Sequence, residues 1–430
     1  MTLFSLLPLA AAGGGSSGFG GGGGGGGFGG GGGYYGGGGG GGGASIVVFL
    51  IIGLIVVIVL LFGAWQTARY RKRRRQRETK VRLAAAEAAQ DDALFDPETV
   101  VRQTCELFMA VQKAWDARDR DTLATLCGDD LIVEWRRRLD DFDRKGWHNR
   151  VDAQLDPQVE FVGLVNREGT DQDRVVVRVT STMNDYVTTR DGQMIYKEGA
   201  TSALVTSTEY WTLFQRDGRW RLLSIESDSE GRHNLDGEIV ASPWAGSDVA
   251  DAALLETAAA DAAPADVKTS EIADLDFDGT ARAAALDLAL ADGRFAPDVL
   301  EVAVRRAVAA WAEAIDGPDE ALQGIATPAA IQALLYPNDD GQTTRLVVRG
   351  PVVQQMTIEA LDAAADPPAM TVSVRVKGAR YVENRDTVAV VSGSRDRVTT
   401  FTERWTFALQ PDRPEQPWIV ADADAARIAS

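Results

Sequence analysis

The stretch Thr208-Glu209-Tyr210-Trp211, followed by Leu213-Phe214, an Asp217-Gly218 turn and Trp220, decides the fold because it occurs twice. Its counterpart is Thr402-Glu403-Arg404-Trp405, then Thr406-Phe407, a Pro-rich turn and Trp418. Landmarks upstream recur in the same order. Phe95-Asp96-Pro97-Glu98 is answered by Phe295-Ala296-Pro297-Asp298, and Trp115 by Trp311. Val177-Arg178-Val179 is answered by Val374-Arg375-Val376, and Tyr186-Val187 by Tyr381-Val382. This ordered agreement predicts one small domain used twice.

Within the first copy, Asp96 can cap a helix whose first turn holds Pro97, and that helix is expected over Thr99–Trp115. Val101, Cys105, Phe108 and Trp115 lie at helical spacing and predict one apolar stripe facing a core. A short helix is expected near Asp121–Leu126, and a third over about Asp129–Lys145, closed by Gly146 as a left-handed cap. After Pro157 the pattern turns to period two. Val159–Asn166, Arg174–Val187, Ala203–Gln215 and Trp220–Ser227 read as strands separated by Gly-containing turns. Helices followed by hairpin-linked strands predict an α+β domain with its helices on one face of an antiparallel sheet.

N-terminal to both copies the chain reads as a membrane anchor. Ile46 to Trp65 is an uninterrupted apolar run. At 1.5 Å per residue about twenty residues cover the ~30 Å hydrocarbon core. Trp65 lies where an interfacial aromatic belongs. A basic collar follows at once: Arg69, Arg71, Lys72, Arg73, Arg74, Arg75 and Arg77. The N-terminal flank of the span carries no Lys or Arg. The positive-inside rule therefore predicts cytoplasmic C-terminal domains and an external N-terminus, with the collar meeting anionic headgroups. Gly13–Gly43 is nearly pure glycine, whose backbone entropy predicts a flexible coil. Met1–Ala12 resembles the end of a signal-peptide core with a small-residue cleavage site, without the basic start of one, so cleavage and retention both stay open. The expected organisation is a tail at 1–43, a span at 44–65 and a collar and stalk at 66–92. The first domain follows at 93–230, an acidic Ala-rich linker at 231–292, and a divergent second domain at 293–430.

Composition narrows the chemistry. A net charge of -18 argues against nucleic acid, whose phosphates require basic faces. Only two histidines are present, too few for a His-rich metal site. The two cysteines, Cys105 and Cys127, have neither zinc nor disulfide spacing and read as small buried hydrophobes. The Gly tract lacks the GxxxxGK[ST] phosphate loop, and no cofactor is expected. By strand alternation Glu209 shares a face with Trp211 and Leu213, as Glu403 does with Trp405 and Phe407. A carboxylate on an apolar concave face has a raised pKa and can act as acid or base; a rim carboxylate paired with Arg or Lys does neither. Phe108, Trp115, Tyr186, Trp211 and Trp220, with Trp311, Tyr381, Trp405 and Trp418 in the second copy, are large enough to line a pocket or to fill a core.

Three helices on a curved antiparallel sheet, the Phe-x-Pro start and the Glu-x-Trp strand resemble the Tim44-like family, over about Phe95–Ser227 and more faintly Phe295–Asp424. The Gly-rich segment, single span and collar resemble its bacterial membrane-anchored members. The resemblance implies two tandem cone-shaped, NTF2-like domains that bind a lipid, the membrane surface or a protein client, with a link to protein translocation. The chaperone-binding region of the mitochondrial relative has no counterpart here, because a span stands in its place. The expected function is thus non-catalytic tethering by a single-pass protein of the bacterial plasma membrane. Its partners are membrane lipids and an unidentified protein client. Two alternatives stand beside it: a small-ligand or enzymatic domain using Glu209, and ribosome or translocase association through the collar.

Overall fold

The computed structural model describes residues 42–167, 169–170, 172–197, 201–243, 275–277, 281–290, 292–314, 319–337, 339, 341–410, 413 and 416–424. All but the last two residues of the tail expected at 1–43, and most of the linker expected at 231–292, lie outside them; those two residues, 42 and 43, open the first helix. A single helix, α1 (Gly42–Ala88), carries the apolar run, the collar and the stalk without a break. It is long and apolar enough to cross a membrane. Leu50, Leu60 and Trp65 along it are more than half exposed, so this apolar run is not packed into either domain.

Past the apolar run one stripe of α1 turns toward the protein. Tyr70, Arg74 and Arg77 are half-buried, and Val81, Ala85 and Ala88 are buried. Their spacing of three and four marks a continuous helical face. Val81, Ala85 and Ala88 belong to the first domain's core. The stalk is therefore part of that domain rather than a free spacer.

The first domain continues with α2 (Pro97–Asp116), α3 (Arg120–Leu126) and α4 (Asp129–Lys145). Asp96 caps α2 by accepting from the Thr99 amide, and Gly146 ends α4 at φ 66°, as the sequence predicts. The buried stripe of α2 is Val100, Thr104, Leu107, Phe108, Val111 and Trp115. It is offset by one residue from the stripe expected at Val101 and Cys105, which are half-buried. Thr104 enters the core because its hydroxyl bonds back to the Val100 carbonyl at 2.7 Å.

The strands are β1 (His148–Asp152), β2 (Gln158–Val165), β3 (Arg174–Thr188), β4 (Met194–Tyr196), β5 (Leu204–Arg216), β6 (Arg219–Ser227) and β7 (Ile239–Val240). They form one sheet in the order β6-β5-β3-β2-β7, with β1 and β4 paired to β3. Helices α2–α4 cover the inner face. On the outer face Tyr210, Val162 and Leu235 form a second small core with Tyr70 and Val176. Residues 228–240 fold back here, and β7 pairs in parallel with β2, so the chain past 230 stays with the first domain before any linker begins.

The second domain repeats the plan with β8 (Leu275–Phe277), α5 (Ala281–Ala289), α6 (Pro297–Ala314), α7 (Glu320–Ile325), α8 (Pro328–Leu335), β9 (Thr344–Asp362), β10 (Ala369–Asn384), β11 (Val390–Leu409) and β12 (Trp418–Asp424). Its sheet runs β12-β11-β10-β9-β8. Ala281 and Ala285 enter the core as Val81 and Ala85 do. The duplication thus reaches back into the segments expected as stalk and linker. Ladder register refines one match. Trp211 faces Val177, whereas Trp405 faces Val372. The ladder counterpart of Arg178 is therefore Ser373, two residues before Arg375.

Candidate functional site

The recurrent tryptophans are tied to the start of each domain by the same two contacts. Trp220 donates from Nε1 to the Leu94 carbonyl at 2.9 Å and meets Phe95 edge-on at 5.3 Å. Trp418 donates to the Arg294 carbonyl at 2.8 Å and meets Phe295 at 5.5 Å. Phe108 packs on Trp211 at 5.4 Å, and Trp311 on Trp405 at 5.6 Å. Trp115 meets Trp135 at 5.7 Å. All of these rings are buried. Phe-x-Pro recurs because each Phe closes a core against an indole whose one polar atom has a backbone partner, Trp220 or Trp418. Glu-x-Trp recurs because its indole packs on a ring of the first long helix of the domain.

The two glutamates of the repeated signature have diverged. Glu403 is buried and pairs with Arg380 at 2.8 Å. Glu209 is half-buried and accepts from Trp211 Nε1 at 2.9 Å and Ser207 Oγ at 3.3 Å. Burial pushes its carboxyl above the usual range, opposed by those hydrogen bonds and by Lys197, with Asp185 pushing the same way as burial. Near it a polar chain crosses the domain. Trp115 Nε1 donates to Asn149 Oδ1 at 2.9 Å, and Asn149 Nδ2 donates to Asp185 Oδ1 at 2.8 Å. Tyr186 is half-buried, paired in register with Tyr196 of β4. His148 opens β1 and places Nε2 2.7 Å from the Asp116 carbonyl. Tyr381, expected with the pocket rings, instead reaches the other domain.

That contact belongs to a buried charge cluster between the copies, which sequence reading does not single out. Tyr381 donates to Glu230 Oε1 at 2.5 Å. Arg385 forks onto Glu134 with its Nε at 2.9 Å. Arg345 and Arg395 both hold Glu383, at 3.0 and 2.9 Å. Arg349 lies 3.7 Å from Glu226 and 3.8 Å from Glu230. His233 Nε2 is 2.7 Å from Glu226. Val388 crosses into the first domain's core. Gly350 has φ +54° with a Cβ position 2.4 Å from His233, so the backbone approach requires glycine. Against burial, His233, Arg349 and Asn234 hold the Glu226 carboxyl down at about 2. Burial lifts Glu383 to about 7 despite its three arginines. The available signal was charge at strand positions, Arg345, Arg349 and Glu383, where a solvated end would not need it.

The collar divides by helical face. Tyr70 and Tyr210 share a 2.7 Å hydroxyl bond. Arg74 pairs with Glu160 at 2.7 Å, Arg77 donates to the Val162 carbonyl at 2.7 Å, and Arg73 reaches Asp236. Arg69, Arg71, Lys72 and Arg75 are exposed, with Arg69 stacked 5.5 Å over Trp65. Ile46 lies in α1, ahead of the described side chains. Burial raises the Cys127 thiol to about 12, so it is an inert packing group. Among the described residues no cluster of three or more His, Cys, Asp or Glu is arranged to hold a metal.

Comparisons with known proteins agree with the duplication. No curated protein matches the chain. Among solved structures, the intermembrane space region of the chloroplast protein ARC6 is similar at 12% identity and a TM-score of 0.23, covering 30% of this chain and 97% of that one. An NTF2-like protein involved in plasmid conjugation is similar at 8% identity and a TM-score of 0.17, covering 66% of this chain and 81% of that one. The Tim44-like domain model matches residues 81–227 and again 279–425. Those starting points coincide with the helical segments that enter each core. The chain therefore belongs to the Tim44-like domain family and carries that domain twice, behind one candidate membrane-spanning helix.

Proposed function

We propose that this protein is a membrane-anchored, non-catalytic tether that holds two Tim44-like domains at the cytoplasmic face and binds lipid and a protein client there. The observation that carries it is the divided collar. One face of α1 locks the first domain to the anchor through Tyr70, Arg74 and Arg77. The other face leaves Arg69, Arg71, Lys72 and Arg75 exposed beside Trp65, at the level where headgroups begin. Each such cation near an anionic surface is worth about 1 kcal/mol. The domain is thereby held at a fixed height and orientation, as a tether requires. The test reconstitutes the whole chain in nanodiscs of neutral lipid, with and without phosphatidylglycerol, and reads retained lipid by native mass spectrometry. Crosslinking in native membranes runs alongside it. Enrichment of anionic lipid that is lost when the four exposed cations become Gln, with a stoichiometric protein partner, supports the tether. Equal lipid retention together with no partner overturns it.

A second reading rests on the first domain alone. Glu209, with its carboxyl pushed up, stands near Asp185 of the Trp115–Asn149–Asp185 chain. Such a group can serve a small-ligand site as acid or base. An unchanged ligand-binding profile for Glu209→Gln sinks that reading.

A further inference from the structure

The two sheets present the same outer face to different neighbours. On the first sheet that face is covered. Tyr210, Val162 and Val176 take Tyr70 of α1. Glu160 takes Arg74 at 2.7 Å and Arg178 at 3.3 Å, and Asp228 from the returning segment adds a 2.8 Å pair to Arg178. Ladder register gives the corresponding positions on the second sheet. Arg404 stands for Tyr210 and Thr371 for Val176, from the Trp405–Val372 pairing. Thr357 stands for Glu160 and Glu359 for Val162, the latter two being the bulged residues of β9 and β2. Serine 373 stands for Arg178. Short hydroxyls thus replace the Glu160–Arg178 pair, while Arg404 and Glu359 pair with each other at 2.7 Å beside them, and a concave groove of about 370 Å³ opens between Gln355, Thr357, Ser373, Arg375, Thr400 and Thr402.

Two cations edge this groove on one strand face, Arg375 and Lys377, and both are exposed. Among the described residues neither has an ion pair or a side-chain hydrogen bond. Beyond Lys377 lie Val352, paired with it, and Val398, paired with Ala379; they are 57% and 59% exposed. A hydroxyl-lined trough with two open cations and an apolar end is thus left on a chain of net charge -18. We propose that it docks an acidic, amphipathic segment of a partner protein, which delivers carboxylates to Arg375 and Lys377 and an apolar side chain to Val352 and Val398. The concavity favours a narrow peptide segment over a flat bilayer, and the covered first sheet shows the same face receiving a helix and a carboxylate within this chain. The proposal rests on the reading of the protein as a tether and names one of its binding surfaces.

The test uses the full chain in neutral detergent, without lipid, so that it is independent of the collar. The probes are a fluorescein-labelled helical 15-residue peptide with Leu on one face and Glu at positions i and i+4, its Gln twin and its Lys twin. Binding is read by anisotropy. The Glu peptide should bind about tenfold tighter than the Gln peptide, the scale of one to two screened ion pairs. Arg375→Gln with Lys377→Gln should remove that preference while leaving thermal unfolding unchanged. Arg375→Glu with Lys377→Glu should transfer the preference to the Lys peptide. Equal binding of the Glu and Gln peptides, or a preference that survives the Gln variants, overturns the proposal. So does an outcome in which these variants change only retention on phosphatidylglycerol vesicles, which would assign the groove to lipid.

Discussion

The two Tim44-like domains share a plan and differ in what each does with its polar groups. The first keeps a half-buried glutamate without an arginine partner inside and covers its outer face with the anchor. The second neutralises the same glutamate with Arg380, sends Tyr381 and Arg349 across to its neighbour, and leaves its outer face open. Duplication fixed the aromatic closures, because losing one empties a core. Charged positions differ between the copies, and the difference leaves one sheet packed against α1 and the other with an uncovered outer face.

The harshest way to break this comparison is to remove the shared part. Trp211→Ala and Trp405→Ala should each destabilise the chain by about 3–5 kcal/mol, since each leaves a cavity in a filled core. Denaturant unfolding followed by tryptophan fluorescence checks it. A loss confined to Trp211→Ala would mean that the second core is loosely packed and only resembles the first.

The interface comes next. Arg385→Ala removes the closest partner of the buried Glu134 and leaves it only Arg345 at 4.0 Å, so it should cost about 3 kcal/mol, the low end for breaking a buried pair. It should also split one cooperative unfolding transition into two, with hydrogen exchange rising around Tyr381 and Glu230. A single unaltered transition would show that the copies stay coupled without the Arg385–Glu134 pair.

The glutamates sharpen the comparison further. Glu403→Gln leaves Arg380 buried without its carboxylate and should cost about 1.5–3 kcal/mol. Glu209→Gln should lie within about 0.5 kcal/mol of the parent at neutral pH, because the side chain stays an acceptor for Trp211 and sheds a charge that burial disfavours. The sign with pH follows. Burial lifts the folded Glu209 carboxyl above the ordinary glutamate value of 4.5, so the native state binds the proton more tightly than the unfolded state. Its contribution is fully present below about 4.5 and is lost as pH rises through the folded value. The Gln variant should flatten that fall, whereas Glu403→Gln should not copy the effect. Glu226, held at about 2, runs the other way and loses its contribution as pH falls from 4.5 toward 2.

How much of this was legible in the sequence follows from the range of the interactions. The helix over Asp129–Lys145, its Gly146 cap and the four main strands are set by local period and capping, and all stand where the pattern places them. The duplication was legible because the Phe–Trp closures need particular residues in order. The two-residue slip of β10 was not, since a shift of two residues leaves the in-out alternation of a strand unchanged and only the ladder to β11 reveals it. The end of the stalk was read as a spacer because Val81, Ala85 and Ala88 are small residues in a charged helix and only the facing sheet shows them to be core. The interface was hidden for a related reason. Glu134 and Glu230 pair with residues more than a hundred positions away, and nothing local distinguishes such a carboxylate from a solvated one.

The smallest effect tests the outer faces. Tyr210→Phe removes one hydroxyl from a half-buried pair with Tyr70 and should cost about 1 kcal/mol, the net worth of a typical hydrogen bond. Its ladder counterpart, Arg404→Ala, cuts a pair to Glu359 in which the arginine is 55% exposed, so screening should hold the loss below about 0.5 kcal/mol. The difference should also appear locally. Tyr210→Phe should raise amide exchange in residues 66–80 of α1, because that hydroxyl pins the helix to the sheet, while Arg404→Ala should change exchange nowhere but in β11. If both variants were equally silent, the helix would be held by Arg73, Arg74, Arg77 and the buried Val81, Ala85 and Ala88 without help from the Tyr70 hydroxyl, and the outer faces would differ in coverage without differing in docking strength.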